Sequence, residues 1–313
     1  MQIVRYTPDH RTEWDAFVRG SKNGTFLFRR DYMDYHADRF ADCSFLFYEK
    51  GKLIAVLPAN LRADEHTLYS HQGLTYGGLV MGTEIRAAHV LGLFDEWLAL
   101  LRTDYDVRTL VYKPVPHIYH RHPAEEDLYA LFRHRAVLRS RLLSSVIDRE
   151  RPLPATYNRR WQAKKALKEG LRIERSTQFG PFWEVLTHRL QQKYGVNPVH
   201  SLEEIERLHR AFPEQIVLLE ARLADEVVGG CVHYVMDEVV HIQYAAATET
   251  GMALGALDAL FLHTATEFCP EKRYVDIGNS NEQGGWVLNE NLIFRKETCG
   301  ARGIAFDTYE LAL

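Results

Sequence analysis

The sequence predicts an α/β protein of the α+β type, with mainly antiparallel mixed sheets flanked by helices. Three observations carry that reading. Strand-like runs come in groups joined by short polar turns, as at Glu49–Lys52 and Asp225–Glu226, so neighbouring strands run antiparallel. Helical stretches stand before and after each meander and not between its strands, which excludes a doubly wound parallel sheet. The order of helices, meander, helix and strand occurs twice, on either side of a break at Pro152 and Pro154. Two domains, 1–150 and 151–313, are therefore expected from element order, although no residue-level repeat is visible.

Taken in order, Met1–Tyr6 reads as a strand and Pro8–Asp9 as the turn after it. Thr12 caps a helix holding Trp14, Phe17 and Val18, and Asp31–Phe40 reads as a second helix. Ser44–Tyr48 and Leu53–Pro58 form a hairpin, Thr67–Ser70 a third strand, and His71–Met81 a glycine-bearing segment. Arg86–Arg102 is an apolar helix, Thr109–Lys113 a strand, Pro114–Leu131 irregular, and Ser140–Asp148 a strand. In the second half Tyr157–Gly170 is a basic helix, while Gly180–Tyr194 and Ser201–Ala211 show apolar faces at helical spacing. Ile216–Ala224, Val227–Met236 and Val239–Ala245 make three antiparallel strands, and Leu254–Phe268 a helix. The chain closes with a strand at Tyr274–Ile277, a polar loop, a helix-compatible segment from Trp286 to Gly300, and a strand at Gly303–Leu311.

Composition narrows the function classes. With 313 residues, 46% hydrophobic and 26% charged, the chain can build an ordinary globular core. Its net charge of −4 gives no overall attraction to DNA or to an anionic membrane, so any such contact needs a local basic patch. Cys43, Cys231, Cys269 and Cys299 are scattered, which fits a reducing compartment and not a disulfide or zinc framework. MQIVRYTPDH does not read as a signal peptide, and no apolar run approaches the roughly 20 residues of a membrane span. A cytoplasmic protein without an integral membrane segment is expected, and a homodimer is left open.

Several stretches carry chemistry. Tyr274–Arg302 (YVDIGNSNEQGGWVLNENLIFRKETCGAR) places Asp276, Asn279, Ser280, Asn281 and Glu282 on a strand-to-helix loop, with Lys296 on the following segment. Strand ends and helix starts leave backbone groups free for a ligand, though the same residues also read as a polar loop before a core helix. Arg159, Arg160, Lys164, Lys165 and Lys168 crowd one helix, a pattern that suits a phosphate-bearing partner or simply a solvated basic face. In SHQGLTYGG, Ser70, Gln72 and Tyr76 are candidate ligand contacts and His71 a candidate general base, unless the segment is only a glycine-rich turn. Glu282 and Asp276 are alternative bases. His117, His120 and His122 sit in a Pro-containing loop without ligand-setting geometry, so no metal is expected. Cys231 and Cys299 lie in apolar or helical context and read as buried. No Gly-x-Ser-x-Gly, Walker loop or Gly-x-Gly-x-x-Gly occurs.

NRRWQAKKALKEGL (Asn158–Leu171), IQYAAAT (Ile242–Thr248) and the Tyr274–Arg302 stretch together resemble the FemAB-like proteins, in which two GNAT acyltransferase folds stand in tandem. SHQGLTYGG (Ser70–Gly78) is similar to the substrate-side segment of the first half in that family. The resemblance implies two tandem GNAT-like domains, the first on the acceptor side and the second on the donor side. It implies direct N-acyl transfer, without a covalent enzyme intermediate, to an amine of an amino sugar, nucleotide sugar or cell-envelope precursor lying between the halves. Such chemistry needs a splayed strand pair to hold the donor carbonyl and a cation near the developing negative charge. Ile242–Ala247 and Tyr274–Gly278 are the candidate pair, with Tyr244 beside them, and Lys296 matches the lysine used near the donor. The family's donor is acyl-CoA, an aminoacyl donor being the alternative. Gly251 and Ala253 fit the family's pyrophosphate motif, whereas Thr248 and Glu249 depart from it. A transfer RNA donor is not expected, because the chain lacks the long two-helix arm of the members that use it. A catalytically silent module that binds a glycan precursor or carrier is the other function left open.

Overall fold

The computed structural model describes Met1–Leu313. In chain order the elements of the first part are β1 (Gln2–Arg5), α1 (Arg11–Gly20), α2 (Arg30–Met33), β2 (Phe45–Glu49), β3 (Lys52–Leu57), β4 (Asn60–Arg62), β5 (Thr67–Tyr69), β6 (Val80–Met81), α3 (Ala87–Asp104), β7 (Thr109–Tyr112), α4 (Glu126–Arg133) and β8 (Val137–Asp148). There follow α5 (Tyr157–Lys168), β9 (Leu171–Ser176), α6 (Phe179–Tyr194), α7 (Leu202–Ala211), β10 (Ile216–Leu223), β11 (Glu226–Val235), β12 (Val239–Ala247), α8 (Glu249–Leu254) and α9 (Ala256–Thr266). The last are β13 (Tyr274–Asn279), β14 (Asn281–Glu282), β15 (Val287–Leu288), α10 (Glu290–Glu297) and β16 (Arg302–Ala312).

The chain divides into two compact units, neither of them continuous in sequence. Unit 1 takes Met1–Leu142, Gln283–Trp286 and Ala305–Leu313, and unit 2 takes Leu143–Glu282 and Val287–Ile304. In unit 1, β1-β2-β3-β6 form one sheet, while β4, β5, β7 and β16 follow one another in hydrogen-bonded order. Helix α3 buries Val90, Leu93, Phe94, Trp97, Leu98 and Leu101, positions spaced three and four apart. They pack with Phe45, Phe47 and Tyr112 into the core of this unit. Each such side chain contributes roughly 1.5–3 kcal/mol by leaving water.

In unit 2 the strands run β8-β13-β12-β11-β10-β9, and only the β12–β13 pair is parallel. Strands β10 and β11 are buried along most of their length, so both of their faces are covered. Small residues let helices close on one face: Ala163 and Ala166 of α5 and Ala256 and Ala259 of α9 pack with Val228, Cys231, Ile242, Val275 and Ile277. Helix α7 opens with a reciprocal cap, in which the Ser201 hydroxyl accepts from Glu204 N and Ser201 N donates to the Glu204 carboxylate. The end of α9 is closed from outside its own sequence. The Arg149 guanidinium donates to the carbonyls of Thr264, Ala265, Phe268, Cys269 and Lys272, filling acceptors that a helix leaves open at its C-terminus.

Several local expectations change. The helix expected at Asp31–Phe40 is one α turn, α2, followed by a 3-10 turn at Asp34–His36. The Asp31 and Asp34 carboxylates are drawn to Arg11 outside the segment, which is too short to nucleate a helix without packing. The irregular stretch Pro114–Leu131 contains most of α4, and a fourth antiparallel strand, β9, pairs along the outer edge of β10. The helix expected at Leu254–Phe268 is α9, and a separate short helix, α8, precedes it across Gly255. The helix expected from Trp286 begins at Glu290, because Val287 and Leu288 pair with Glu282 and Asn281 in a small hairpin. Asn289 then caps α10, its side chain accepting from Leu292 N at 3.0 Å. No helix is long and apolar enough to cross a membrane.

Candidate active site

Unit 2 is where two strands part. β12 and β13 pair only over Val239–His241 and Tyr274–Asp276. Just past that point β12 carries a bulge at Gln243: His233 faces Ile242 and Val232 faces Tyr244, leaving one extra residue on β12. A bulge bends its strand, and here it turns Ile242–Ala247 away from β13, which stays tied to β8 on its other edge. The β12 edge facing the gap is thereby left without a strand partner, its backbone groups free for a ligand. The gap opens into a cavity of about 370 Å³. Leu186, Leu190, Ile242, Ala246, Leu257 and Ile277 give it an aliphatic wall, and Arg189, Lys193, Arg295 and Lys296 give it cations.

Lys296 rides on α10 and turns inward, with 8% of its surface exposed. Its Nζ donates to the carbonyl oxygens of Gly278 at 2.8 Å and Asn279 at 2.6 Å. An ammonium has three N–H bonds, so one remains for a third acceptor. Burial pulls its pKa down to about 8, partly opposed by the charge of Asp276. At neutral pH the group is still mostly a cation, held with little water around it.

Asp276, with 0% of its surface exposed, is the hub behind that lysine. Its Oδ1 accepts from Ser144 Oγ at 2.5 Å and from Gly278 N at 2.8 Å, while Oδ2 stands 3.0 Å from His241 Nδ1. Gly278 has φ of +84°, and a Cβ there would lie 3.9 Å from His241 Cε1 and 4.0 Å from Lys296 Nζ. The imidazole and the ammonium therefore flank one point, at the place where the strands separate. His241 did not stand out in the sequence: it is one polar residue in VVHIQYAAA, and only the 241/276 register joins it to Asp276.

The other residues singled out by sequence divide clearly. Arg159 lines the cavity, yet its guanidinium is ion-paired with Asp258 and its Nε donates to Thr298 Oγ1 at 2.9 Å, so it ties α5 to α9. Lys164 is exposed and off the cavity. Asn279 offers its backbone carbonyl to Lys296 while its side chain faces solvent. Ser280 is buried, and its carbonyl accepts from Asn289 N; Asn281 Oδ1 accepts from Leu143 N at 2.6 Å. These two residues shape the loop and do not face the cavity. Glu282 is exposed on the small hairpin, accepting from Asn289 Nδ2, and is not a cavity residue. Tyr244 lies outside the cavity wall, its hydroxyl 2.6 Å from His200 Nδ1 and its ring edge-on to Trp183.

The phosphate motif is also displaced. The Gly251 amide donates to Thr248 Oγ1, and a Cβ at Gly251 would sit 2.0 Å from the Val228 carbonyl oxygen. That glycine is needed for α8 to approach β11, and Ala253 is exposed and off the cavity.

In unit 1 the base expected at His71 is enclosed. It has 2% exposure, a left-handed φ of 63°, and an imidazole stacked 5.1 Å from that of His36 with Phe40 against it. Desolvation holds its pKa well below the usual histidine range, so it is neutral and out of reach of an acceptor. Tyr76 is core, packed on Phe28 and Tyr119, and Ser70 Oγ accepts from Lys113 N. Gln72 is different: with Tyr69, Lys113, Arg139 and Trp286 it lines a cavity of about 490 Å³ in unit 1. Trp286 stands 86% exposed there. His120 is occupied by the Val115 carbonyl, and no group of three or more His, Cys, Asp or Glu side chains gathers as a metal site.

A bulged strand diverging from its parallel neighbour, a cavity in the gap and a buried cation at its apex define a site for chemistry at a carbonyl. Residues 155–283 match the acetyltransferase (GNAT) domain. No curated protein matches the sequence. Among solved structures, FemX superposes with a TM-score of 0.69 at 12% identity, over 100% of this chain and 98% of FemX. L-PGS from Bacillus licheniformis gives 0.61 at 10% identity, over 98% and 92% of the two chains. The tandem GNAT protein of the clavulanic acid biosynthesis pathway gives 0.53 at 12%, over 99% and 98%. Residues 155–283 thus match the acetyltransferase (GNAT) family, and the chain as a whole shares the fold of FemX and of the tandem GNAT protein.

Proposed function

We propose that the protein moves an acyl or aminoacyl group from an activated thioester or ester to an amine of an amino sugar, nucleotide sugar or other cell-envelope precursor, with acyl-CoA as the donor. The observation that carries this reading is Lys296. A desolvated ammonium with two N–H bonds spent on Gly278 and Asn279 has its third left to stabilise charge on a reacting carbonyl oxygen. The cavity suits a long donor with an apolar arm and an anionic end, since aliphatic side chains give way to Arg189, Lys193 and Arg295. Those three cations, and not the amide of Gly251, are the groups placed to meet phosphates, because Thr248 already satisfies that amide.

On this reading the amine attacks the acyl carbon, the oxygen charge is held by Lys296 and by β12 backbone donors, and the thiolate or alkoxide departs. The acceptor side rests on the cavity of unit 1. Trp286 offers an exposed ring face for a sugar, and Lys113 and Arg139 offer charge for an anionic group on it. Burial lowers the Lys113 pKa to about 8, so it too is mostly cationic at neutral pH. Thermal-shift titration with acyl-CoAs, aminoacyl esters and UDP-amino sugars tests the proposal. Stabilisation by a donor, abolished in Arg189→Ala/Arg295→Ala, supports it. Stabilisation by acceptors alone would favour a binding module, and no response to any thioester or ester would refute the transfer reading.

A further inference from the structure

We propose that His241 is the general base of the transfer, with Asp276 and Ser144 as the residues that position it. The inference rests on the acyl-transfer reading and adds to it the group that takes the proton from the attacking amine.

The geometry is that of an oriented imidazole. Asp276 is wholly buried and is itself fixed from two other directions, by Ser144 Oγ and by Gly278 N. A carboxylate placed 3.0 Å from Nδ1 keeps the ring proton on that nitrogen and leaves Nε2 as a lone-pair acceptor. Nε2 has no hydrogen-bond partner in the protein, and 14% of the His241 side chain is exposed. The ring is not a sealed core histidine. His233, one residue away across the β11–β12 ladder, shows the contrast: it is completely buried with Nε2 on Thr264 Oγ1.

Position supplies the second argument. His241 is the last β12 residue paired with β13, so it stands where the strands divide, next to Ile242 of the cavity wall though not itself part of that wall. Gly278, lacking a side chain, leaves open a point within 4.0 Å of both His241 Cε1 and Lys296 Nζ. A base and a charge-stabilising cation on two sides of one space is the arrangement that amine acylation requires. The other titratable groups around the imidazole are Asp276, Lys296 and, through the sheet, His233; the Tyr234 ring lies 6.5 Å away.

The step balances without a further reactant. Nε2 takes one proton from the ammonium form of the acceptor, and the imidazolium releases it to solvent. The freed amine lone pair forms the N–C bond and the carbonyl electron pair moves to oxygen beside Lys296. The pair returns, the C–S or C–O bond breaks with its electrons on the leaving group, and the leaving group takes the second N–H proton from the nitrogen.

The test uses the whole chain, acetyl-CoA and longer acyl-CoAs as donors, and two nucleophiles. A primary alkylamine is protonated at neutral pH and needs a base, whereas hydroxylamine is already free. His241→Ala is expected to lower turnover with the alkylamine by about 10²-fold or more and with hydroxylamine by less than about tenfold. Added imidazole should restore part of the alkylamine rate. His241→Gln controls for shape and should match His241→Ala. Asp276→Asn should shift the acid limb of the pH–rate profile of the alkylamine reaction, whereas its charge on Lys296 acts only on the alkaline limb. Equal losses with both nucleophiles and no imidazole rescue would overturn the base assignment while leaving acyl transfer standing. Wild-type protein that transfers nothing from any donor to hydroxylamine would overturn acyl transfer itself, and the base assignment with it.

Discussion

Replacing Lys296 by Met separates its chemical role from its structural one. The side chain keeps its length and loses its charge. On stability two terms oppose each other. Lowering the lysine pKa from 10.5 to about 8 means that the buried cation costs folding roughly 3 kcal/mol at neutral pH, and Met removes that cost. Against it, the carbonyls of Gly278 and Asn279 lose their donor, at about 1–3 kcal/mol for a group left unsatisfied. Asn279 lies at the surface, where water can take over its carbonyl. The net change is expected to be small, a shift in Tm of a few degrees at most. Catalysis has no such compensation, and loss of one charge-stabilising donor lowers kcat by about 10²–10³-fold. The assay is thiol release from the donor thioester with hydroxylamine as acceptor, beside a thermal melt. The wild-type rate should also fall above about pH 8 as the ammonium loses its proton, and Lys296→Arg should move that fall to higher pH. A Lys296→Met rate within about threefold of wild type would remove Lys296 from the reaction. A collapse in Tm would show that the ammonium is held for structure.

Other substitutions probe the frame around the site. Gly278→Ala forces a side chain into a φ of +84°, at roughly 1–2 kcal/mol, and places a methyl in contact with both His241 and Lys296; activity should fall further than a thermal melt explains. Gly251→Ala meets the Val228 carbonyl and should destabilise by about 1–3 kcal/mol in urea unfolding, with donor affinity following only through α8. Acid should unfold the protein through its buried histidines. His233, whose pKa burial lowers to about 3, stays neutral when folded and gains a proton above that pH only on unfolding. Stability is therefore lost as pH falls below the unfolded value near 6.5, by about 2 kcal/mol for this residue at pH 5. His233→Gln should flatten the dependence of urea stability between pH 7 and pH 5, and an unchanged slope would rule His233 out as its source.

The sequence alone carried the class of the fold. Turn residues and period-two apolar runs marked the meanders, and helical spacing marked α3, α6 and α7, because these are near-neighbour properties. It also made Lys296 a candidate, since a lysine on a helix-compatible segment ended by glycine is visible without coordinates. What it did not hold was any fact that depends on register between distant strands. The pairing of His241 with Asp276 joins residues 35 apart. The parting of β12 from β13 depends on a bulge that no single residue type announces, and the enclosure of His71 depends on His36 and Phe40 folding over it. His71, Tyr76 and the Thr248–Ala253 stretch are packed for one reason. Polar and glycine residues serve close packing as often as ligand contact, and only burial tells the two apart. Local spacing thus decided which elements form and where a cation could stand, while tertiary register decided which groups share its space, because side chains from separate strands meet only once the sheet is assembled.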